Sequence, residues 1–407
     1  MGLPGWRGGA GQGRPIRVIT FSTLYPNSEH PNHGVFVENR LRHLVATGEV
    51  ATRIVAPVGW VPLDVPLLGR HAANANVPFG ESRFGLSILH PRFLIIPKIG
   101  MPLAPSLLYA GALRTLRRLQ VEQEFDLIDA HYFYPDGVAA VMLGRALSKP
   151  VVITARGTDL NLIPQYRLPR RMIQAAIRRA AHMIAVSQAL KDALLSLGAA
   201  PEAVTVLRNG VDLRAFHPGG REEARHRLNL SGPTLISVGH LIERKAHDLV
   251  VAAMGMLPQC TLLVIGEGPE KSALEAQVAG LGLANRVRIV GAVPHERLRD
   301  YYVAADALVL ASSREGWPNV LLEAMACGTP AVASNIWGNP EVVATPEAGR
   351  LMAERSAAGV ADAVQQLFAR LPDRAATRRY AERYGWDETS AGQISIFDHV
   401  RSKVCPR

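Results

Sequence analysis

The amino-acid sequence predicts an α/β protein with two Rossmann-like, doubly wound domains. The chain has 407 residues, which is more than one ordinary hydrophobic core accommodates. Short apolar runs alternate with amphipathic helical segments, and this pattern is typical of a mostly parallel sheet covered by helices. The alternation stops near residue 215 and begins again after a short connector, so we expect two successive units of the same class.

The first domain is predicted over residues 15–215, after a disordered lead of residues 1–14. Its first strand, 16–22, precedes a turn-rich loop and a helix that ends at Gly48. Further strands are predicted at 50–57, 125–131, 150–157, 182–187 and 203–212, and further helices at 105–120, 136–147, 169–180 and 188–198. The Pro- and Gly-rich span 60–98 matches neither pattern.

The second domain is predicted over residues 216–384, and a last helix, about 385–407, is expected to cross back to the first domain. Its strands are predicted at 234–240, 260–268, 286–293, 306–312 and 329–335, and its first helices at 245–254, 270–282 and 295–305. Ligands bind beyond the carboxyl ends of strands in such sheets. Most of the unusual residues of the chain follow strand ends, so we expect the two domains to face each other across a ligand cleft.

Composition excludes several classes of protein. The chain is 48% hydrophobic and 20% charged, as soluble globular proteins are, and it has no apolar run long enough for a transmembrane helix. The N-terminus lacks the apolar core of a secretory signal. The three cysteines have neither metal-ligand nor disulfide-framework spacing, which favours a cytoplasmic protein.

The net charge of +10 lies entirely in the first half of the chain. Residues 1–215 contain 24 Lys and Arg against 14 Asp and Glu, whereas residues 216–407 contain 21 of each. Such asymmetry indicates an anionic partner for the first domain: a membrane surface, a nucleic acid or an acidic substrate.

The segment "SSREGWPNVLLEAMACGTP" (312–330) is predicted to hold an anion site. Pro318 suits the first turn of a helix, and the amides of Asn319, Val320 and Leu321 then lack intrahelical acceptors. Glu315 precedes this helix start and Glu323 lies more than one turn inside the helix, so the two acids suit sugar hydroxyls on either side of a phosphate. The alternative is a turn residue and a solvated helix position.

Other candidates also follow strand ends. In "SVGHLIERKAHDL", Lys245 and Arg244 could neutralise phosphate, or could form a solvated basic loop with His240. In the first domain, Gly34 precedes a helix and offers a second anion site, and His131 ends a strand. Arg156 and Asp159 could bind an acceptor, or Asp159 could simply cap a helix.

Together, "EGWPNVLLEAMACGTPAVAS", "VGHLIERKAHDL", "IGEGP", "VGAVPHERLRDYY", "LRNGVDLRAFHP" and "GVFVENRLRHL" resemble the retaining glycosyltransferases of family 4, with their E-x7-E motif and GT-B fold. The resemblance runs in order from about residue 15 to 400. It implies sugar transfer with retention from a nucleotide-diphosphate sugar to a glycan or lipid-linked acceptor in polysaccharide or glycolipid biosynthesis. No D-x-D metal motif follows a strand end, so Lys245 and the helix start are expected to replace a metal, and no cofactor is expected. A peripheral position on the inner face of the cell membrane is left open, and no nucleic acid is expected.

The resemblance also implies a role for each candidate residue. Glu315 would contact the transferred sugar beside Gly316, Trp317 and Pro318, and Glu323 would accept from the ribose hydroxyls. Lys245 would bind the diphosphate with Gly34, and His131 would lie near the hydroxyls of the reacting sugar. The chain departs from the commonest pattern at His240, where many relatives have Arg, and at Arg156, where many have His; Arg244 could restore the missing charge.

Three other functions remain open at this point. A phosphorylase would require a lysine-bound pyridoxal phosphate. A nucleotide-sugar epimerase of the same fold would release no glycoside and need no acceptor. A noncatalytic nucleic-acid-binding protein would account for the net charge, although no recognition module stands out in the sequence.

Overall fold

The computed structural model describes residues 14–61, 74–96 and 100–404, and it divides into two compact units. The first unit contains the chain up to Arg208 and again from Asp387, and the second unit is Asn209–Trp386. The predicted lead, residues 1–14, and Cys405 lie outside the described residues except for Arg14. No helix within these described ranges is long and apolar enough to cross a membrane.

An eight-stranded sheet forms the centre of the first unit, in the order β10-β9-β8-β7-β1-β2-β5-β4, and β3 and β6 pair separately. The strands are β1 (Ile16–Phe21), β2 (Val50–Val55), β3 (Val58–Trp60), β4 (Gly80–Arg83), β5 (Leu86–Leu89), β6 (Arg92–Leu94), β7 (Leu127–His131), β8 (Val151–Ala155), β9 (His182–Ala185) and β10 (Val204–Val206). The helices are α1 (Val35–Ala46), α2 (Ala104–Glu122), α3 (Val138–Leu147), α4 (Thr158–Asn161), α5 (Arg167–Ile177) and α6 (Gln188–Ser196).

The span that matched neither sequence pattern contains the only antiparallel pair among the described strands. β4 and β5 are joined by Phe84 and Gly85, which both have positive φ, at 49° and 78°. Two residues of positive φ make the tight turn that suits a hairpin. Short strands at a sheet edge carry little periodic signal, which explains why the sequence left this span unassigned.

A six-stranded parallel sheet forms the second unit, in the order β13-β12-β11-β14-β15-β16. The strands are β11 (Thr234–Val238), β12 (Thr261–Ile265), β13 (Val287–Gly291), β14 (Ala307–Leu310), β15 (Ala331–Ser334) and β16 (Gly349–Met352). The helices are α7 (Arg221–Arg227), α8 (His247–Ala253), α9 (Lys271–Gly280), α10 (Leu298–Ala304), α11 (Asn319–Ala326), α12 (Asn339–Val342), α13 (Ala357–Ala369) and α14 (Arg374–Glu382). The last helix, α15 (Trp386–Val404), belongs to the first unit from Asp387 onward.

The predicted fold class is confirmed, including the return of the last helix. Residues Ile396, Phe397 and Val400 of α15 are buried in the core that also contains Ile16 and Val37 of the first unit. An apolar helix face that covers a sheet in this way is stabilised by roughly 25 cal/mol for each Å² removed from water.

Candidate active site

The helix start predicted in the second unit is present. The chain leaves β14, passes through a buried loop, and enters α11 at Asn319 with Pro318 as the preceding residue. The amides of Asn319 and Val320 open the helix, where no intrahelical acceptor exists. The prediction was wrong for Leu321, because its amide donates to the carbonyl of Pro318 at 3.1 Å.

The loop before α11 is held by Trp317. Its indole is 6% exposed and donates to the carbonyl of Asn209 at 3.0 Å, while its ring packs against Tyr384 at 5.8 Å between centroids. Gly316 beside it is buried. Trp317 therefore fixes the loop through packing and a backbone contact, and a rigid loop sets the position of the neighbouring Glu315.

Glu315 lies against two cations. The Nζ of Lys245 is 2.6 Å from one carboxylate oxygen, and the guanidinium of Arg244 is 3.6 Å from the other. Burial would raise the pKa of the Glu315 carboxyl, but the charges of Lys245 and Arg244 outweigh burial and hold this pKa below its ordinary value. The structure thus brings together a carboxylate and two cations that the sequence placed on separate loops.

Two glycines follow adjacent strands near Lys245. Gly239 directly follows β11 with φ of 148°, and a Cβ there would lie 3.4 Å from the Lys245 side chain, in ordinary contact with it. A Cβ on Gly266, after the neighbouring strand, would lie only 1.9 Å from the carbonyl oxygen of Gly239. The residues after β11 and β12 can therefore approach this closely because Gly266 lacks a side chain. His240, next in the chain, is exposed.

Glu323 sits one turn inside α11 and is 8% exposed. The hydroxyl of Tyr302 donates to one carboxylate oxygen at 2.8 Å, and Nε2 of His295 lies 3.1 Å from the other. The alternative of a solvated helix position is therefore wrong. His295 and Tyr302 were not singled out in the sequence, although both lie in the quoted "VGAVPHERLRDYY" segment after a strand end.

Gly34 precedes α1 in the first unit, as predicted, with φ of 74°. A Cβ at this position would lie 2.3 Å from the carbonyl oxygen of Leu24, so only glycine fits without movement of the backbone. The close approach of two backbone segments accounts for Gly34 in this unit, and its contact with a diphosphate stays a prediction.

His131 ends β7 within a buried polar network. Its Nε2 lies 3.1 Å from Asp129, and its Nδ1 faces the guanidinium of Arg156. A guanidinium only donates, so Nδ1 accepts and Nε2 carries the proton toward the carboxylate. Burial lowers the pKa of His131 to about 4. The charge of Asp129 opposes this shift, and the charge of Arg156 adds to it. His131 is therefore neutral near pH 7.

The network extends to the C-terminal helix. Gln393 of α15 donates to Asp129 at 2.9 Å and accepts from Nε of Arg40 at 2.8 Å. Both Arg40 and Gln393 are 1% exposed. None of Arg40, Asp129 and Gln393 was singled out in the sequence, because each lies inside a helix or strand and only the packing of distant segments joins them.

Asp159 is fully buried and accepts from backbone amides. Its carboxylate accepts from Gly157 at 2.6 Å, Phe133 at 2.8 Å and Arg156 at 3.1 Å. Burial raises the pKa of Asp159, and these amides oppose the rise. Asp159 lies inside α4, whose N-cap residue is Gly157, so it is not the residue that caps this helix. Its carboxylate instead ties together the chain after β7 and the chain after β8.

The described residues contain no group of three or more His, Cys, Asp or Glu side chains that could hold a metal ion. The positive charge beside Glu315 is supplied by Lys245 and Arg244. These two cations belong to the same unit as the opening amides of α11, and helix-end amides are groups that bind anions.

Two family models match consecutive stretches of the chain. The model of Glycosyltransferase Family 4 matches residues 70–215, and the model of Glycosyl transferases group 1 matches residues 220–384. These stretches correspond to much of the first unit and to nearly all of the second.

Individual proteins resemble the chain over most of its length. A D-inositol 3-phosphate glycosyltransferase of Frankia alni is 32% identical over 68% of this chain and 75% of that protein. TuaC of Bacillus subtilis, a glycosyltransferase named for teichuronic acid biosynthesis, is 28% identical over 79% of this chain and 82% of its own. Anabaena HepE, solved in complex with UDP-glucose, has a TM-score of 0.70 at 19% identity and covers 94% of this chain and 98% of its own.

Proposed function

The chain belongs to the family 4 glycosyltransferases of the GT-B type, and from this premise we propose that it moves a sugar from a nucleotide-diphosphate donor to an acceptor hydroxyl with retention of configuration. The observation that carries the proposal is the contact of Lys245 and Arg244 with Glu315 beside the start of α11. Cations and unpaired backbone amides can bind a diphosphate through ion pairs and hydrogen bonds, and a fixed carboxylate can accept hydrogen bonds from the hydroxyls of a sugar.

Each part of the donor is assigned to one of these groups. The diphosphate takes Lys245 and the amides of Asn319 and Val320, the transferred sugar takes Glu315, and the ribose takes Glu323. The choice of a nucleotide sugar is supported by HepE, which was solved with UDP-glucose. The identity of the base and the sugar is left to experiment.

The proposed reaction exchanges one bond at the anomeric carbon for another on the same face. The bond from this carbon to the diphosphate oxygen breaks with its electron pair going to the diphosphate, and a bond to the acceptor oxygen forms. The acceptor proton passes to the leaving phosphate oxygen. The negative charge that grows on the diphosphate is stabilised by the Lys245 ammonium and the α11 amides, which are oriented before the reaction begins.

We propose that this charge stabilisation needs no divalent cation, since Lys245 already supplies a fixed positive charge. Turnover should then persist in EDTA and should not rise on addition of Mg²⁺ or Mn²⁺. Loss of activity in EDTA, with recovery on addition of either metal, would contradict metal independence while leaving glycosyl transfer intact.

The acceptor is proposed to be a glycan or a lipid-linked molecule. The relatives named above are a D-inositol 3-phosphate glycosyltransferase and a protein of teichuronic acid biosynthesis, so phosphorylated polyols and polymer precursors belong in the acceptor panel. Asp159 is occupied by three backbone amides, so the acceptor proposal keeps Arg156 alone, beside His131.

A membrane surface is proposed as a further partner because of α5. This helix buries Ile173 and Ile177, whereas Arg170 and Arg171 are exposed and Leu168 is 52% exposed. Exposed arginines beside apolar side chains suit anionic lipid headgroups. Flotation with vesicles that contain or lack anionic lipid tests this: Arg170→Glu with Arg171→Glu should abolish anionic binding. Binding independent of anionic lipid would contradict it.

The main experiment is a panel of UDP-, GDP- and ADP-sugars, scored first by thermal shift and then by turnover with each acceptor. We expect one nucleotide to raise Tm and to yield a glycoside whose anomeric coupling matches that of the donor. An inverted product would overturn retention. Interconversion of sugars without a glycoside would favour the epimerase, and salt-sensitive binding of RNA without any nucleotide sugar would favour the nucleic-acid binder.

A further inference from the structure

We propose that the first unit holds a second ligand site, a groove that binds one acyl chain and the phosphate of an anionic phospholipid. The groove lies between α3 and α5. Its lining has an apolar end and a basic end, formed by Val138, Met142, Met172 and Ala175 and then by Arg145 and Arg179. It does not include Arg170 and Arg171 of α5, so it is separate from the surface contact proposed above.

The positive charge of the first half of the chain is not explained by the donor. The net charge of +10 lies entirely in residues 1–215, whereas Lys245 and Arg244, which are proposed to face the diphosphate, belong to the second unit. Excess charge of this kind indicates an anionic partner for the first unit. Such a partner is bound best by cations that no carboxylate already neutralises.

Arg145 and Arg179 are cations of this kind. Arg145 lies in the last turn of α3, and Arg179 lies two residues beyond the end of α5. Both are exposed, and no hydrogen bond or ion pair joins either guanidinium to another residue within the described ranges. Lys149, at the same end of the groove, is instead paired with Glu124 at 2.9 Å. The two arginines are therefore the groups left for a phosphate, whose oxygens a guanidinium can bind in a bidentate manner.

Two adjoining cavities give the groove its volume. The cavity at the apolar end has about 270 Å³ and the cavity at the basic end has about 300 Å³. Val141, Arg145 and Arg179 line both cavities, so the apolar and basic ends are continuous. Together they reach the range of roughly 300–1,000 Å³ that is typical of small-molecule sites.

The helical spacing of the lining residues shows that the groove changes from apolar to basic in one direction. Side chains three, four and seven residues apart lie on one face of a helix. The lining residues have this spacing: Val138, Val141, Met142 and Arg145 on α3, and Met172, Ala175 and Arg179 on and just beyond α5. Seven residues of helix extend over about 10 Å. An apolar chain that ends in a phosphate has the same order of chemistry over such a length.

The apolar end is suited to a flexible chain. Val138, Met142 and Met172 are only half-buried, so these apolar side chains border open space. Methionine side chains adapt to irregular apolar shapes. The sulfur of Met172 lies 3.9 Å from the hydroxyl of Tyr134, which also donates to the carbonyl of Met101. The Met101 side chain is 38% exposed and extends the apolar surface beside this end.

The basic end lies away from the proposed active site. Lys149 and Pro150 directly precede β8, whereas His131 ends β7 and Arg156 directly follows β8. Because β7 and β8 are parallel, these two sets of residues lie at opposite edges of the sheet. A phospholipid in the groove therefore anchors the first unit and is not the molecule that receives the sugar.

The experiment measures binding of three probes by calorimetry, with the lipids below their micelle concentrations. Lauroyl lysophosphatidate has both the chain and the phosphate, monolauroylglycerol lacks the phosphate, and glycerol phosphate lacks the chain. The wild-type protein should bind lysophosphatidate at least about tenfold more tightly than either of the others, because each of these lacks one half of the interactions. No binding of lysophosphatidate would overturn the site. Equally tight binding of monolauroylglycerol would overturn the phosphate contact, and equally tight binding of glycerol phosphate would overturn the chain contact.

Substitution of the arginines tests the basic end. Arg145→Glu and Arg179→Glu should each weaken lysophosphatidate binding about tenfold or more and change monolauroylglycerol binding less than about twofold. Arg178→Glu is the matched control, because Arg178 is exposed beside Arg179 but does not line the groove. It should change lysophosphatidate binding less than about twofold, since charges exposed to solvent are screened. Equal losses in Arg178→Glu and Arg179→Glu would indicate a general attraction to a basic surface and would overturn the site.

Substitution of Ala175 tests the apolar end. Ala175 is half-buried on the groove face of α5, so the ring in Ala175→Phe occupies the space of the chain. This variant should weaken both lipids by the same factor, about tenfold or more. Ser106→Phe, at an exposed lining position of α2, tests the same space if Ala175→Phe does not show a wild-type thermal melt. Unchanged lipid binding in a folded variant would overturn the chain contact. All of these measurements are made without a nucleotide sugar, so failure of the groove leaves the proposed glycosyl transfer intact.

Discussion

Replacement of Lys245 by alanine tests the proposed diphosphate site most directly. The Nζ of Lys245 lies 2.6 Å from Glu315, and its side chain is only 12% exposed, so its charge acts in a partly desolvated position. Two unit charges 4 Å apart interact by roughly 4 kcal/mol at an effective dielectric constant of about 20. If about half a charge develops on the diphosphate, the transition state loses about 2 kcal/mol, which is a roughly 30-fold fall in kcat.

The assay is steady-state kinetics in which the donor selected by the nucleotide-sugar panel is varied at a fixed concentration of acceptor. Lys245→Arg keeps the charge and should lose less activity than Lys245→Ala. Lys271→Ala is the matched control, because Lys271 is a lysine of the same unit whose side chain is 50% exposed, and its activity should stay at the wild-type level.

Removal of Lys245 also leaves Glu315 without its closest cation, and an uncompensated buried carboxylate destabilises a protein. Thermal melting of each variant therefore accompanies the kinetics. A correctly folded Lys245→Ala protein with kcat within about threefold of wild type would refute the reasoning, because a tenfold loss, or about 1.4 kcal/mol, is the least that it requires.

Four further predictions address the remaining groups. Glu323→Ala should raise the donor KM about tenfold, near 1.4 kcal/mol, through loss of the ribose contact, and unchanged donor kinetics would contradict the assignment. The folded-state pKa of Glu315 is lowered, so its stabilising contribution is present above its unfolded pKa, near 4.5, and is lost as pH falls through the folded value. In urea unfolding, the free energy of unfolding of Glu315→Gln should therefore depend less on pH below about pH 4.5 than that of the wild type. Parallel plots of this free energy against pH for the two proteins would contradict the prediction. Gly34→Ala should destabilise the protein by about 2 kcal/mol or more, because φ at this position is 74° and a Cβ would lie 2.3 Å from a carbonyl oxygen. Gly255→Ala is the control: a Cβ at Gly255 would have no atom within 4 Å, so this variant should change the free energy of unfolding little in the same denaturant titration. The His131 ring, with a pKa of about 4, should show no titration in NMR spectra between about pH 5.5 and 8, with its signals assigned by their loss in His131→Gln; a midpoint near 6.5 would argue against the buried network.

Local pattern was sufficient for the fold class because most of the longer elements carry their own signal. The strand that begins at Ile16 and the helix that begins at Val35 are apolar or amphipathic over their own length, and their alternation identifies a parallel sheet. Residues 60–98 were left without predicted elements because the strands in this span are short. Strands of three or four residues, such as Gly80–Arg83 and Arg92–Leu94, are too short to show a period.

Candidate site residues were recognised when they followed a strand or opened a helix. Glu315, Lys245 and Gly34 lie at such positions, where ligands bind in open parallel sheets. Positions inside elements gave no such signal, so Tyr302 and Gln393 were missed. Their hydrogen bonds to Glu323 and Asp129 span 21 and 264 residues of sequence, and a separation of that size cannot be read from local spacing.

By itself the sequence determined the fold class, the resemblance to family 4 and the strand ends at which charged residues gather, since these follow from short-range periodicity and ordered motifs. Only the tertiary structure decided the partners: Glu315 with Lys245, Glu323 with Tyr302 and His295. It also showed that the Leu321 amide is occupied. Hydrogen bonds and ion pairs form over about 3 Å, and the chain must fold before residues distant in sequence approach that closely.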